Sequence, residues 1–166
     1  MFNQSILIIK MAMHNWFECK IRYEKTIENG MNKKVTEPYL VDALSFTEAE
    51  ARIIEEMTPF ISGEFTVSDI KRANYSELFF YDEEAADKWF KCKLSFITLD
   101  EKSGAEKKTS TQVLVQAADL RDAVKKLDEG MKGTMADYQI ASVAETSIMD
   151  VYKYCAETET KPEFQG

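Results

Sequence analysis

The stretch Trp16-Phe17-Glu18-Cys19-Lys20-Ile21-Arg22-Tyr23 returns 73 residues later as Trp89-Phe90-Lys91-Cys92-Lys93-Leu94-Ser95-Phe96. Both tryptophans of the chain and two of its three cysteines lie in these two phrases. Self-similarity at a fixed period is the first thing to look for in a sequence, because it dictates architecture. Here the likeness runs on. At a spacing of 74, Lys33-Lys34 meets Lys107-Lys108, Leu40 meets Leu114, Val41 meets Val115, and Ile53 and Met57 meet Leu127 and Met131. Back at 73, Phe65, Ile70 and Tyr81 meet Tyr138, Val143 and Tyr154. Both length changes fall where turns are expected. The spacing therefore predicts an internal duplication: repeat 1 over 15–82, a linker over 83–87, and repeat 2 over 88–154. A leader, 1–14, and a polar tail, 155–166, lie outside it. Two copies of this length are too few and too long for a solenoid.

Each copy reads strand, strand, helix, strand, strand. In the first strand Phe17, Cys19, Ile21 and Tyr23 alternate with Trp16, Glu18, Lys20 and Arg22, the two-residue period of a half-buried strand. Glu28-Asn29-Gly30 and the run from Asp100 to Gly104 are hairpin signals. Pro38 predicts that the second strand lies at an edge or begins with a bulge. Ser45 is placed as N-cap, with Glu48 completing a capping box, ahead of a stripe of Phe46, Ala49, Ile53 and Met57. Asp119 caps the matching stripe of Leu120, Ala123, Leu127 and Met131. Two further strands follow, roughly over 64–72 and 75–81, and again over 137–145 and 148–154. In the third strand the apolar phase slips between Val67 and Ile70, and again between Ile140 and Val143, which predicts a bulge. The expected fold is α+β: tandem ββαββ units forming a twisted antiparallel sheet, with two helices on one face and a pseudo-twofold relation.

A chain of 166 residues buries roughly 70 % of its unfolded surface and needs no staple. No stretch approaches the ~20 apolar residues of a membrane span. Ser5-Ile6-Leu7-Ile8-Ile9 is too short for a signal-peptide core and has no basic leader, so a cytoplasmic location is expected. The sequence leaves open whether the chain starts at Met1, Met11 or Met13. Cys19 and Cys92 alternate in step with large apolar residues and read as buried thiols, with Cys155 an inert thiol in the tail. The net charge is −8. Asp82, Glu83, Glu84 and Asp87 carry four of these negative charges and the tail a net two, leaving −2 for the body of the chain. Its faces can thus differ in sign.

The run from Trp16 to Lys25, followed by Val35-Thr36-Glu37-Pro38-Tyr39-Leu40-Val41-Asp42-Ala43, resembles a small uncharacterised domain-of-unknown-function family of Bacteroidetes, over about residues 15–154. That resemblance implies no activity and transfers no functional residue. A looser likeness concerns element order alone. Four strands and then a helix, read from Glu64 to Met131, look like the PUR and Whirly-type single-strand-binding modules.

Signals for catalysis are poor. His14 is the only histidine, which leaves nucleophile–histidine arrangements without support. There is no glycine-rich phosphate loop, and His14 and the cysteines lack zinc-ligand spacing. Asp82-Glu83-Glu84 reads as a solvated linker rather than a cation site. The expectation is a protein that is not an enzyme and uses no cofactor or metal. The outward face of the two first strands is more informative. It presents Trp16, Lys20 and Arg22 in one copy and Trp89, Lys91 and Lys93 in the other. Aromatic rings beside cations on an open sheet suit single-stranded nucleic acid, with bases stacking at roughly 1–3 kcal/mol each and cations following phosphates. The expected function is a non-enzymatic binding module contacting single-stranded nucleic acid through these six residues. The alternative is a protein-interaction or self-association module, or homodimer, using the same face with Leu40 and Leu114 as its apolar centre. Exposure of the two tryptophans separates open platform from core.

Overall fold

The computed structural model describes residues 15–134 and 137–153. The leader, with Met11, Met13 and His14, and the tail, with Cys155, lie outside the described residues. Alternating side chains build β1 (Trp16–Thr26) and β2 (Asn32–Asp42), paired antiparallel in full register from Trp16↔Asp42 to Thr26↔Asn32. Gly30 closes the hairpin at φ 84°, a left-handed conformation that glycine adopts without steric cost. Helix α1 (Phe46–Met57) follows, then β3 (Phe65–Ala73) and β4 (Glu77–Phe79). The chain continues through β5 (Lys88–Leu99), β6 (Glu106–Ala117), helix α2 (Leu120–Gly130), β7 (Tyr138–Glu145) and β8 (Val151–Tyr152). Among the described residues, eight strands and two helices make an α+β chain.

The strands form two four-stranded mixed sheets, ordered β3-β1-β2-β8 and β4-β6-β5-β7. The expected antiparallel sheet is corrected here in two ways. Hydrogen bonding divides the strands between two sheets, each with its own helix. The fourth strands also change places. β4 follows β3 in sequence yet pairs with β6, and β8 follows β7 yet pairs with β2. Both pairings are parallel, through Glu77↔Val113 to Phe79↔Val115 and Leu40↔Val151 with Val41↔Tyr152. The compact units divide accordingly. One takes in the described residues up to Ala73 and those from Asp150, and the other is Asn74–Met149. The compact units thus part after Ala73 and after Met149.

In the first unit, Phe17, Cys19, Ile21 and Val41 meet Ala49, Ile53 and Met57 of α1 in a fully buried cluster. Ser45 accepts the Glu48 N–H at 3.1 Å, satisfying a helix-start donor. The Glu48 carboxylate reaches back to the N–H of Leu44, one residue before the N-cap, at 2.6 Å. Phe46 is corrected from the buried stripe: it is 48 % exposed at the first helical position, edge-on to Phe17 with ring centroids 4.9 Å apart. Pro38 lies beyond the two residues of β2 that β8 covers, where a missing N–H does no damage. Between Lys20 and Ile21 the partner in β3 jumps from Asp69 to Val67, leaving Ser68 as the extra residue of a bulge.

In the second unit, Cys92, Leu94, Val113 and Val115 pack with Leu127 and Met131 of α2. Asp119 accepts the Asp122 N–H at 2.8 Å, and Asp122 returns to the Ala118 N–H at 2.9 Å. Leu120 matches Phe46 in its fate, at 51 % exposed. Between Lys93 and Leu94 the β7 partner jumps from Ser142 to Ile140, so Ala141 is the bulged residue. The expected slips in both third strands are therefore present.

Candidate nucleic-acid interface

Strand alternation puts Trp16, Glu18, Lys20 and Arg22 on the face of β1 away from α1. Trp16 and Lys20 are half-buried and Arg22 is exposed. Lys20 lies opposite Asp69 of β3 and Pro38 of β2, and Arg22 opposite Thr66 and Thr36. Glu18, Glu24 and Asp69 share this face with the cations, so its charge is mixed. At the far end of the first unit, Arg22, Lys34, Glu24 and Glu64 line an open pocket of about 610 Å³ with Tyr23 and Phe65.

The second unit separates aromatic from cation. Trp89 is 3 % exposed, and its ring meets Phe80 edge-on at 5.3 Å. It is a core residue, and the expected stacking platform is corrected on that point. Leu40 and Leu114, the expected apolar centre of a partner-binding face, are fully buried as well. Lys91 and Lys93 are exposed. Lys91 stands between Leu114 and Ala144, Lys93 between Gln112 and Ser142, and Ser95 between Ser110 and Gln139. These three rungs carry two ammonium groups, amides and hydroxyls, and no carboxylate. Beside them Asn74, Lys93, Ser110, Thr111 and Gln112 line a pocket of about 290 Å³.

Two polar clusters escaped the sequence reading. In the second unit Lys126 is 4 % exposed, with its ammonium 2.8 Å from Glu83 and 2.9 Å from Asp122, and 5.0 Å from the Tyr81 ring centre. Tyr81 donates its hydroxyl to the Lys126 carbonyl at 2.9 Å. Burial pulls the lysine pKa down, but hydrogen bonds to Glu83 and Asp122 outweigh it and hold the group above its ordinary value. The Ala118 N–H, with Lys126, holds the Asp122 carboxyl below the usual carboxylate range. Glu83 thus ties the acidic linker to α2, where solvated residues were expected. The four-residue spacing of Asp122 and Lys126 on one helix was the available signal. In the first unit one oxygen of Glu37 accepts the hydroxyls of Tyr23 at 2.9 Å and Tyr39 at 3.2 Å, while Lys25 stands 3.6 Å from the other. Burial, with Glu37, pushes Tyr23 up to about 12. Residues of different strands meet here, and no local pattern announces that.

Cys19 and Cys92 are buried free thiols, as expected, and desolvation pushes them up to about 12 and about 11. Among the described residues no group of three His, Cys, Asp or Glu side chains is arranged to hold a metal. No helix among them is long and apolar enough to cross a membrane. A comparison with curated proteins found no match. The family described as Domain of unknown function (DUF4494) matches residues 15–154, the span that holds both sheets and both helices, and the chain belongs to that family.

Proposed function

We propose that this chain is a cytoplasmic, non-enzymatic binding module that engages the backbone of single-stranded nucleic acid. The observation that carries the reading is the carboxylate-free run of rungs around Lys91 and Lys93. Cations among neutral hydrogen-bonding groups attract phosphates without internal competition, although the chain as a whole is acidic. Trp89, being buried, has no part in the contact, and Trp16, Lys20 and Arg22 of the first unit form a weaker patch of mixed charge. The matching bulges of β3 and β7 support descent of the two units from one duplicated ancestor. Binding of a labelled oligothymidylate, followed by anisotropy from low to moderate salt, tests the reading. Affinity should fall steeply with salt, and replacing Lys91 and Lys93 by Met should flatten the log–log slope by about 0.7 per lysine. Absence of binding at low salt would end this reading.

The alternative, self-association or a protein partner, moves to another place. The hairpin of each unit carries bare apolar side chains, Met31 in the first and Leu99, 68 % exposed, in the second. Such a module would show a concentration-dependent mass that Leu99→Asp reduces.

A further inference from the structure

We propose that the pocket beside Lys93 is a subsite for a single phosphate group, which rests on the nucleic-acid reading and locates one phosphate within it. The pocket lies where β4 stops covering β6. Ser76 donates its N–H and its hydroxyl to the Gln112 carbonyl, at 2.8 and 3.2 Å, and the parallel ladder proper begins one residue later at Val113. The Gln112 carbonyl therefore points off the free edge of β6. In a strand the N–H and carbonyl of one residue point the same way, and residues two apart agree. The Ser110 N–H is thus aimed off the same edge, away from β5, and no described group accepts it.

The pocket at this edge is lined by Asn74, Lys93, Ser110, Thr111 and Gln112, which bring amides, hydroxyls and a lysine with no ion-pair partner among the described residues. Lys93 and Gln112 are direct cross-strand neighbours. The pocket contains no carboxylate. A main-chain donor, neutral donors and one cation converging on a concave edge suit a tetrahedral oxyanion. They offer a cation nothing but carbonyl and hydroxyl oxygens beside a positive charge.

The test uses the full chain and amide and lysine side-chain NMR signals. Inorganic phosphate and a short oligothymidylate are titrated separately, with Lys93→Met and Ser110→Pro as variants. Proline at this edge position removes the outward N–H together with the serine hydroxyl, and edge strands tolerate it. Both ligands should shift the Ser110 amide and the Lys93 side chain. Each variant should weaken phosphate about tenfold or more, the loss of at least one hydrogen bond to a charged group, with the remaining spectrum intact. Suppose the oligonucleotide binds with strong salt dependence while Ser110 stays unmoved and Lys93→Met binds phosphate as the parent does. The subsite is then wrong and the binding face stands. Suppose instead phosphate shifts Ser110, Lys93→Met abolishes the shift, and no oligonucleotide binds. The subsite then stands and the nucleic-acid reading falls.

Discussion

Gly130, the last residue of α2, faces the Phe79 ring of β4 so closely that a Cβ at Gly130 would stand 2.8 Å from a ring carbon. That contact is how the second unit accommodates the strand it receives after β3. Glycine costs a helix roughly 0.5–1 kcal/mol relative to alanine, so its presence here answers to packing rather than to helix formation.

Gly130→Ala is therefore expected to destabilise, against the usual sign for such a change in a helix. Helix propensity predicts a gain of up to ~1 kcal/mol, whereas displacing the Phe79 ring predicts a net loss of about 1–3 kcal/mol. Chemical denaturation of the variant decides the sign. Gly130→Ala combined with Phe79→Leu should recover part of the loss.

Lys126→Ala should cost about 2 kcal/mol, because it strips two carboxylates of a charge-assisted partner and opens space under Tyr81. Lys126→Met, which keeps the apolar stem, should cost less. The pH dependence has two limbs. The lowered Asp122 pKa contributes stability that is present above its unfolded value near 3.8 and is lost as pH falls through the folded value. The raised Lys126 pKa contributes stability that is present below 10.5 and is lost as pH rises through its folded value. Denaturation midpoints of parent and Lys126→Met, compared across pH, should converge at both extremes.

Ending the chain after Met149 removes β8 and should weaken the first unit selectively. The Leu40 N–H donates to the Asp150 carbonyl at 3.0 Å, Arg52 donates to the Lys153 carbonyl at 3.1 Å, and the Tyr152 ring stacks on Tyr39 at 6.2 Å. Hydrogen exchange should show the Leu40 amide losing protection, while amides of β5 and β6 keep theirs. The second unit is continuous in sequence, Asn74–Met149. Expressed alone, that segment should fold cooperatively.

Cys19 and Cys92 should resist alkylation in the folded chain at pH 8, since the thiolate is the reactive form and burial pushes both pKa values far above that pH. Because both are raised, their stabilising contribution is present below the unfolded value near 9 and fades as pH climbs toward about 11 and about 12. Iodoacetamide labelling followed by peptide mass spectrometry checks each site. Modification of either cysteine before unfolding would contradict the buried cluster.

The elements were legible because their causes are local. The Phe17–Tyr23 alternation, the Ser45 and Asp119 caps, the Gly30 turn and the phase slips near Ser68 and Ala141 are each readable within a few residues. The candidate site was legible only in part. Which face of a strand a residue occupies follows from its parity, so Lys91 and Lys93 were placed together outside the core. Whether that face is wet does not follow from parity. Trp89 has the right parity for exposure and is buried. Phe46 and Leu120 have the right spacing for burial and stand at the first helical position, half in solvent.

The sequence by itself determined the strands, both helices, their caps and the buried cysteines, because hydrogen-bonding and apolar periodicity act over a turn or two of chain. Only the tertiary structure decided that β4 completes the sheet of β6 and β8 that of β2. A short fourth strand can lie against either second strand with the same parallel bonds, and Leu40-Val41 and Leu114-Val115 offer it almost identical edges. Side-chain fit makes the choice, through contacts such as Phe79 on Gly130 and Tyr152 on Tyr39, between residues that no local pattern connects.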